Sequence, residues 1–316
     1  MHPLLLSTLL LLSGTGPGLA AAPPTTTCLT QPMPPLPWQR RAVSCAAGIR
    51  FYVTTPGGCT ADAPCGLIFD VHGKNMSAAD QEKHTGLAAR GPGAEQRWIV
   101  VQPEAANGVW TDRNNPEASM DKFDVVAGFM DELRRSPHLA IDPSRIWITG
   151  FSQGGVMAWY FFCRYPRLIS GAAPLAYAAA YGFCTAADMD NGLPVLYSHG
   201  KCDRAALDGS RQETVGMLEQ GRDYRPIDLS NGDECDKSYR LHRRHRPGEG
   251  PFIMLDHQFT GGTWFTPGHC YPGRSSAIHS CDKDLTIDGE KVDWGRLLLR
   301  FFADPSGLIP AATESH

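Results

Sequence analysis

Six short apolar runs recur along the first two thirds of the chain: IRFYV (49–53), GLIFDV (66–71), WIVVQ (98–102), RIWIT (145–149), ISGAAP (169–174) and PVLYS (194–198). Each is apolar or β-branched and bounded by Gly, Pro or Asp, which predicts strands. Between them, DKFDVVAGFMDELRR (121–135) repeats Phe123, Val126, Phe129, Met130 and Leu133 at helical spacing. GGVMAWYFFCRYP (154–166) predicts a buried helix ending before Pro166, and DWGRLLLRFFADP (293–305) an amphipathic helix near the chain end. This alternation predicts an α/β fold, a mostly parallel sheet flanked by helices on both faces. Residues 204–250 depart from it. They are polar, charged and rich in Gly and Arg, an excursion from the sheet in which YRLHRRH is one further candidate strand.

Composition changes the picture in one direction. The chain has 316 residues, 42% of them apolar and 20% charged, enough for a substantial core and against disorder. A formal net charge of −4 gives no overall reason to expect nucleic acid or a membrane surface as partner. The first residues, MHPLLLSTLLLLSGTGPGLAAAPP, carry a leucine core too short to span a bilayer, a Gly/Pro break and a small-residue run. Residues 1–22 therefore read as an export signal. Residues 23–44 follow as a Pro-rich arm, and residues 45–316 form a single catalytic-size domain. All ten cysteines lie beyond the signal, which in an exported chain points to disulfides. No CxxC pair or His/Cys cluster has the spacing of a structural zinc site.

The stretch RIWITGFSQGG (145–155) carries the chemistry. It sets a G-x-S-x-G motif between a predicted strand and a predicted helix, the context of a nucleophile elbow. Gly150 and Gly154 have no Cβ, so strand and helix can approach around the bend. Ser152 is then exposed at the C-terminal edge of the sheet as a candidate nucleophile. A serine hydroxyl needs a base, and the base a carboxylate, in the chain order acid then histidine. PVLYSHGKCD ends a strand and puts Asp203 at that sheet edge, with Asp208 as the alternative. PFIMLDHQFTGGTWFTPGHCYPG (251–273) gives a strand pattern and then a Gly-rich loop with His269, the favoured base; His257 lies within the strand pattern and reads as structural. The remaining histidines read as solvated surface. GLIFDVHGKN supplies a loop whose Lys74 N–H would join that of Gln153 as an oxyanion hole, with His72 supporting the loop. Trp110, Trp264 and Tyr271 are candidate walls of a substrate pocket. No metal or organic cofactor is required.

With these pieces in place the chain resembles secreted α/β-hydrolase esterases of the polyhydroxybutyrate depolymerase and feruloyl esterase group. The likeness covers about residues 45–275 and rests on DVHGKN, the 121–166 segment, SHGKCD and GHCYPG. It implies the α/β-hydrolase fold, with Ser152, Asp203 and His269 as the triad. It also implies a serine hydrolase working through an acyl-enzyme, first on polyhydroxybutyrate-type polyester or its oligomers. A phenolic ester of plant cell walls, an amide or polyamide, and a non-catalytic binding role stay open as alternatives, as does the oligomeric state. Cys202 precedes the acid and Cys270 follows the base, so a Cys202–Cys270 disulfide is expected to pin the two loops. Cys59 and Cys65 are expected to close a small loop around TADAP.

Overall fold

The computed structural model describes residues 21–29, 40–112, 115–179, 183–205, 208–229, 235–236, 238–263, 266–273, 279–282, 284–287 and 289–308. Most of the expected signal segment, residues 1–20, lies outside them, as do Trp264 and residues 30–39 of the expected arm.

Nine strands form one sheet: β1 (Arg40–Ser44), β2 (Arg50–Thr54), β3 (Cys65–Val71), β4 (Trp98–Glu104), β5 (Ile141–Phe151), β6 (Gly171–Leu175), β7 (Val195–Gly200), β8 (Tyr239–Arg244) and β9 (Phe252–His257). Their spatial order is β1-β2-β4-β3-β5-β6-β7-β9-β8. The central strands from β4 to β9 run parallel, while β1, β2 and β8 are antiparallel to their neighbours. Helices α1 (Ala78–Thr85), α2 (Leu87–Arg90), α3 (Pro116–Arg134), α4 (Gln153–Arg164), α5 (Ala186–Met189), α6 (Asp208–Gly221) and α7 (Trp294–Ala303) connect or follow them. This is the α/β-hydrolase architecture.

Because both faces are covered, strand residues alternate between two cores rather than between core and water. Leu67, Phe69, Ile99, Val101, Ile146 and Ile148 pack with Phe123, Val126, Phe129 and Met130 of α3 and the apolar face of α4. Ile68, Val100 and Trp147 pack on the other side with Trp294, Leu298, Phe301 and Phe302 of α7. Trp147 stacks on Phe302 at 5.0 Å, which anchors α7.

Two elements differ from expectation. Arg40–Ser44, read as part of the arm, is the edge strand β1 and pairs with β2. Upstream of it, Glu132 of α3 accepts the N–H groups of Cys28 and Leu29, and Cys28 is bridged to Cys45. The 204–250 excursion contains a helix, α6, as well as β8. Its weak apolar periodicity hid the helix; Val215 and Leu218 are its buried contacts.

Candidate active site

Strand β5 runs through Phe151 into α4 with Ser152 at the bend, at φ 55° and ψ −117°. A side chain disfavours that region, at a cost of about 1–3 kcal/mol, so the surroundings must impose it. Ser152 N–H donates to Leu175 O at 2.9 Å, tying the bend to β6. A Cβ on Gly154 would lie 2.2 Å from Val71 O, and one on Gly150 2.5 Å from Gly154 O. Both glycines are thus sterically required. Ser152 is 8% exposed, reached by solvent but held in a wall of buried groups.

The neighbouring loop after β3 is cross-tied from three directions. His72 is fully buried; its Nδ1–H donates to Gly73 O at 2.7 Å and its Nε2 accepts Ala105 N–H at 3.2 Å. Both nitrogens are committed in the neutral ring, and burial lowers the pKa from 6.5. Asn75 N–H donates to Gly108 O at 2.8 Å. Gln153 Oε1 accepts N–H from Trp110 and Thr111 at 2.9 and 3.3 Å, so the residue after the serine clamps the 105–111 loop. The Gln153 N–H itself belongs to the first turn of α4, where backbone donors are left over. Lys74 sits exposed in the β3 loop.

The loops carrying Asp203 and His269 meet across the same edge. His269 Nδ1 lies 2.8 Å from Asp203 Oδ2, in a pair almost wholly shielded from solvent, and Asp203 Oδ1 accepts Ala205 N–H at 2.9 Å. Gly268, at φ +81°, lets the loops touch: a Cβ there would lie 2.3 Å from Cys202 O. Arg204 N–H donates to Pro267 O at 3.3 Å. The His269 ring lies 4.6 Å from that of Phe151, the residue before Ser152. His257 is elsewhere in this layer. It is fully buried, stacked on Phe259 at 4.5 Å, and its Nδ1 accepts Phe259 N–H. Burial lowers its pKa to about 3, so it is neutral. Asp208 opens α6, and its side chain lies outside the described residues.

Comparison with known proteins gives this geometry a context. The sequence profile described as Phospholipase/Carboxylesterase matches residues 111–214, which include Ser152 and Asp203. The chain is 25% identical over 260 residues to "Poly(3-hydroxyalkanoate) depolymerase C" of Paucimonas lemoignei, covering 70% of this chain and 60% of that protein. It is 30% identical over 260 residues to "Putative esterase NocK" of Nocardia uniformis subsp. tsuyamanensis, covering 72% of this chain and 73% of that one. The chain belongs to the carboxylesterases of the α/β-hydrolase fold. Among solved structures, an acetyl xylan esterase from Aspergillus awamori matches this fold with a TM-score of 0.50 at 14% identity, over 69% of this chain and 92% of that one.

In this carboxylesterase several expected positions take other roles. Cys202 is bridged to Cys235 and Cys270 to Cys281, not to each other. The two loops do meet, but through the Gly268 backbone and the Asp203–His269 bond. Each cysteine instead ties its own loop to a different segment, 33 and 11 residues further along the chain. Cys59–Cys65 and Cys163–Cys184 complete five bridges with Cys28–Cys45. Trp110 and Tyr271 are fully buried, with no surface open to solvent. Trp110 packs under the clamped loop, 5.1 Å from the His72 ring. Tyr271 lies between Phe151 and His84, 4.4 and 4.3 Å from their rings, and its O–H donates to Gln81 Oε1 at 2.6 Å. His84 and His199, read as surface, are buried too. The only sequence cue for His199 is its place at the end of an apolar strand, four residues before the acid. Among the described residues, no cluster of three or more His, Cys, Asp or Glu could hold a metal ion.

Proposed function

We propose that this protein is an exported serine esterase that hydrolyses hydroxyalkanoate-type polyester or its oligomers through an acyl-enzyme. The observation that carries the mechanism is the shielded 2.8 Å contact of Asp203 with His269 Nδ1, set beside the strained Ser152 bend. Asp203 accepts the Nδ1–H and so leaves Nε2 as the base. Nε2 takes the Ser152 proton as Oγ attacks the ester carbonyl. The N–H groups of Gln153 and Lys74 receive the oxyanion, each worth about 3 kcal/mol in the transition state. His269 then protonates the leaving alcohol, and water activated by the same nitrogen releases the acid.

The polyester assignment is supported by the Paucimonas relative, whose printed name is a poly(3-hydroxyalkanoate) depolymerase. Export is supported by the five disulfides, which persist in oxidising compartments, together with the leucine-rich leader. No helix of the described residues is long and apolar enough to cross a membrane.

The test is a hydrolysis panel of p-nitrophenyl esters, hydroxybutyrate oligomers, methyl ferulate and polyaspartate. Hydroxybutyrate oligomers are the expected best substrate, with Ser152→Ala losing at least about 10⁴-fold in kcat and all labelling by a fluorophosphonate. Cleavage of methyl ferulate alone overturns the polyester reading. Unchanged labelling or turnover in Ser152→Ala overturns the mechanism.

A further inference from the structure

We propose that His199 is a positioning residue for the acid–base pair, acting through Asp203; this rests on the serine-esterase reading above. His199 lies at the end of β7, fully buried, with Nε2 3.6 Å from Asp203 Oδ2. That is the same oxygen that takes the His269 Nδ1–H at 2.8 Å. Its other nitrogen, Nδ1, is 2.5 Å from the Tyr197 hydroxyl. One carboxylate oxygen is therefore flanked by two imidazoles, of which the elbow chemistry uses one.

The neighbouring carboxylate decides which face His199 presents. Tyr197 is wholly buried and keeps its proton, its pKa raised well above the ordinary value by desolvation. With the ring proton on Nε2, facing the carboxylate, Nδ1 is left to accept from the Tyr197 hydroxyl, whose other hydrogen-bond neighbour is Thr214. The opposite tautomer would aim a lone pair at an anion across 3.6 Å with both groups out of water, which is unfavourable. At 3.6 Å the contact is an N–H dipole held near a charge rather than a formed hydrogen bond. Contacts of this kind commonly tighten when substrate completes the site.

Charged and titratable groups face the ring from several elements among the described residues. Tyr197 shares its strand, and Asp203 follows it. Asp256 and His257 face it from β9 in register, and Arg211 of α6 is paired with Asp256. His257 is neutral and Arg211 is paired with Asp256, while His199 Nε2 faces Asp203 Oδ2.

Two consequences follow. The dipole holds Oδ2 in the direction that orients His269. It also draws on the negative charge of Asp203, which limits how strongly that charge favours protonated His269. Replacing His199 by Phe removes the donor and keeps a ring; replacing it by Gln keeps an N–H near the Nε2 position.

The experiment measures kcat, KM and the pH profile of kcat/KM on a p-nitrophenyl ester for wild type, His199→Phe, His199→Gln and Tyr197→Phe, with folding checked by circular dichroism. In His199→Phe, kcat is expected to fall about tenfold at unchanged KM, and the acidic limb to move up by about half a pH unit or more. His199→Gln restores most of both. Tyr197→Phe, which removes the hydroxyl at Nδ1, shifts the limb the same way by less. A folded His199→Phe, or Tyr197→Phe if the former does not fold, with wild-type limb and kcat overturns the proposal. So does a kcat loss with the limb unmoved, which marks a merely structural ring. Activity lost in Ser152→Ala but unaltered in these variants overturns this inference alone; activity that survives Ser152→Ala overturns the parent reading instead.

Discussion

The two halves of the proposed site, Ser152 with its bend and Asp203 with His269, are built in different ways. Around Ser152, fit is local. Gly150, Gly154 and the β5–α4 junction meet within five residues, and β6 closes the bend with one hydrogen bond. Around Asp203 and His269, nothing local suffices. The two residues are 66 positions apart, each follows its own strand, and each loop carries its own disulfide, Cys202–Cys235 and Cys270–Cys281. One half is fixed by backbone sterics and the other by tethers. Damage to the first should therefore appear as lost stability, and damage to the second as lost turnover.

The sharpest way to break that contrast is a pair of glycine substitutions. Gly154→Ala pushes a methyl to 2.2 Å from Val71 O between sheet and helix, where neither backbone can yield. It is expected to cost about 3 kcal/mol or more by urea unfolding, or to prevent soluble folding. Gly268→Ala meets Cys202 O at 2.3 Å and strains a φ of +81°, but in loops that can part. Its expected result is a 10- to 100-fold fall in kcat, since about 1 Å of misplacement has that effect, with a smaller stability loss than Gly154→Ala. The reverse order of stability losses would erase the distinction.

Next in size is the Cys270→Ser, Cys281→Ser double variant. Its bridge closes a sequence separation of 11, and chain entropy puts its loss at about 3 kcal/mol. The variant sharpens the comparison because Cys59–Cys65, remote from the His269 loop, serves as control. Removing the His269 tether should lower kcat, whereas Cys59→Ser, Cys65→Ser should lower only the unfolding midpoint.

The smallest effect is on pH. His257 has a pKa of about 3 in the folded protein against 6.5 ordinarily, so the unfolded chain binds the extra proton between those values. The stability contributed by its neutrality is complete above 6.5 and lost as pH falls toward 3, at up to about 1.4 kcal/mol per unit. His84, lowered to about 4 by burial, acts in the same direction. Asp70 opposes both: burial raises its pKa to about 6, so its protonation favours the fold as pH falls from 6 to 3.8. The urea midpoint should decline from pH 6.5 to 4, and less steeply in His257→Gln. An equal slope in that variant removes His257 from the account.

What could be read from the chain follows the same division. The strands other than β1, with α3, α4, α7 and the elbow, were legible because their apolar spacing and glycines act over a few residues. Asp203 and His269 could be nominated from strand ends and chain order, but nothing local says that they meet. Cys59–Cys65 is bridged as its short loop suggested, whereas Cys202 and Cys270 take other partners because adjacency to meeting residues does not say which way a side chain points. The full burial of Trp110 and Tyr271 was not legible, because composition cannot tell an aromatic that lines a pocket from one that props a loop. His199 was passed over because a lone histidine carries no sign of the carboxylate it will face.

Tyr271 shows what such a prop accomplishes. Its hydroxyl reaches Gln81 Oε1, Gln81 Nε2 donates to Asp70 Oδ1 at 2.6 Å, and Asp70 also accepts from Thr85 and Gln102 at 2.7 and 3.1 Å. The ring stands two residues after His269, so the reach from β3 to the imidazole is a rigid column of fixed height. Loops around it can lengthen or change composition without moving the working nitrogen, because its elevation is gauged from the floor of the sheet.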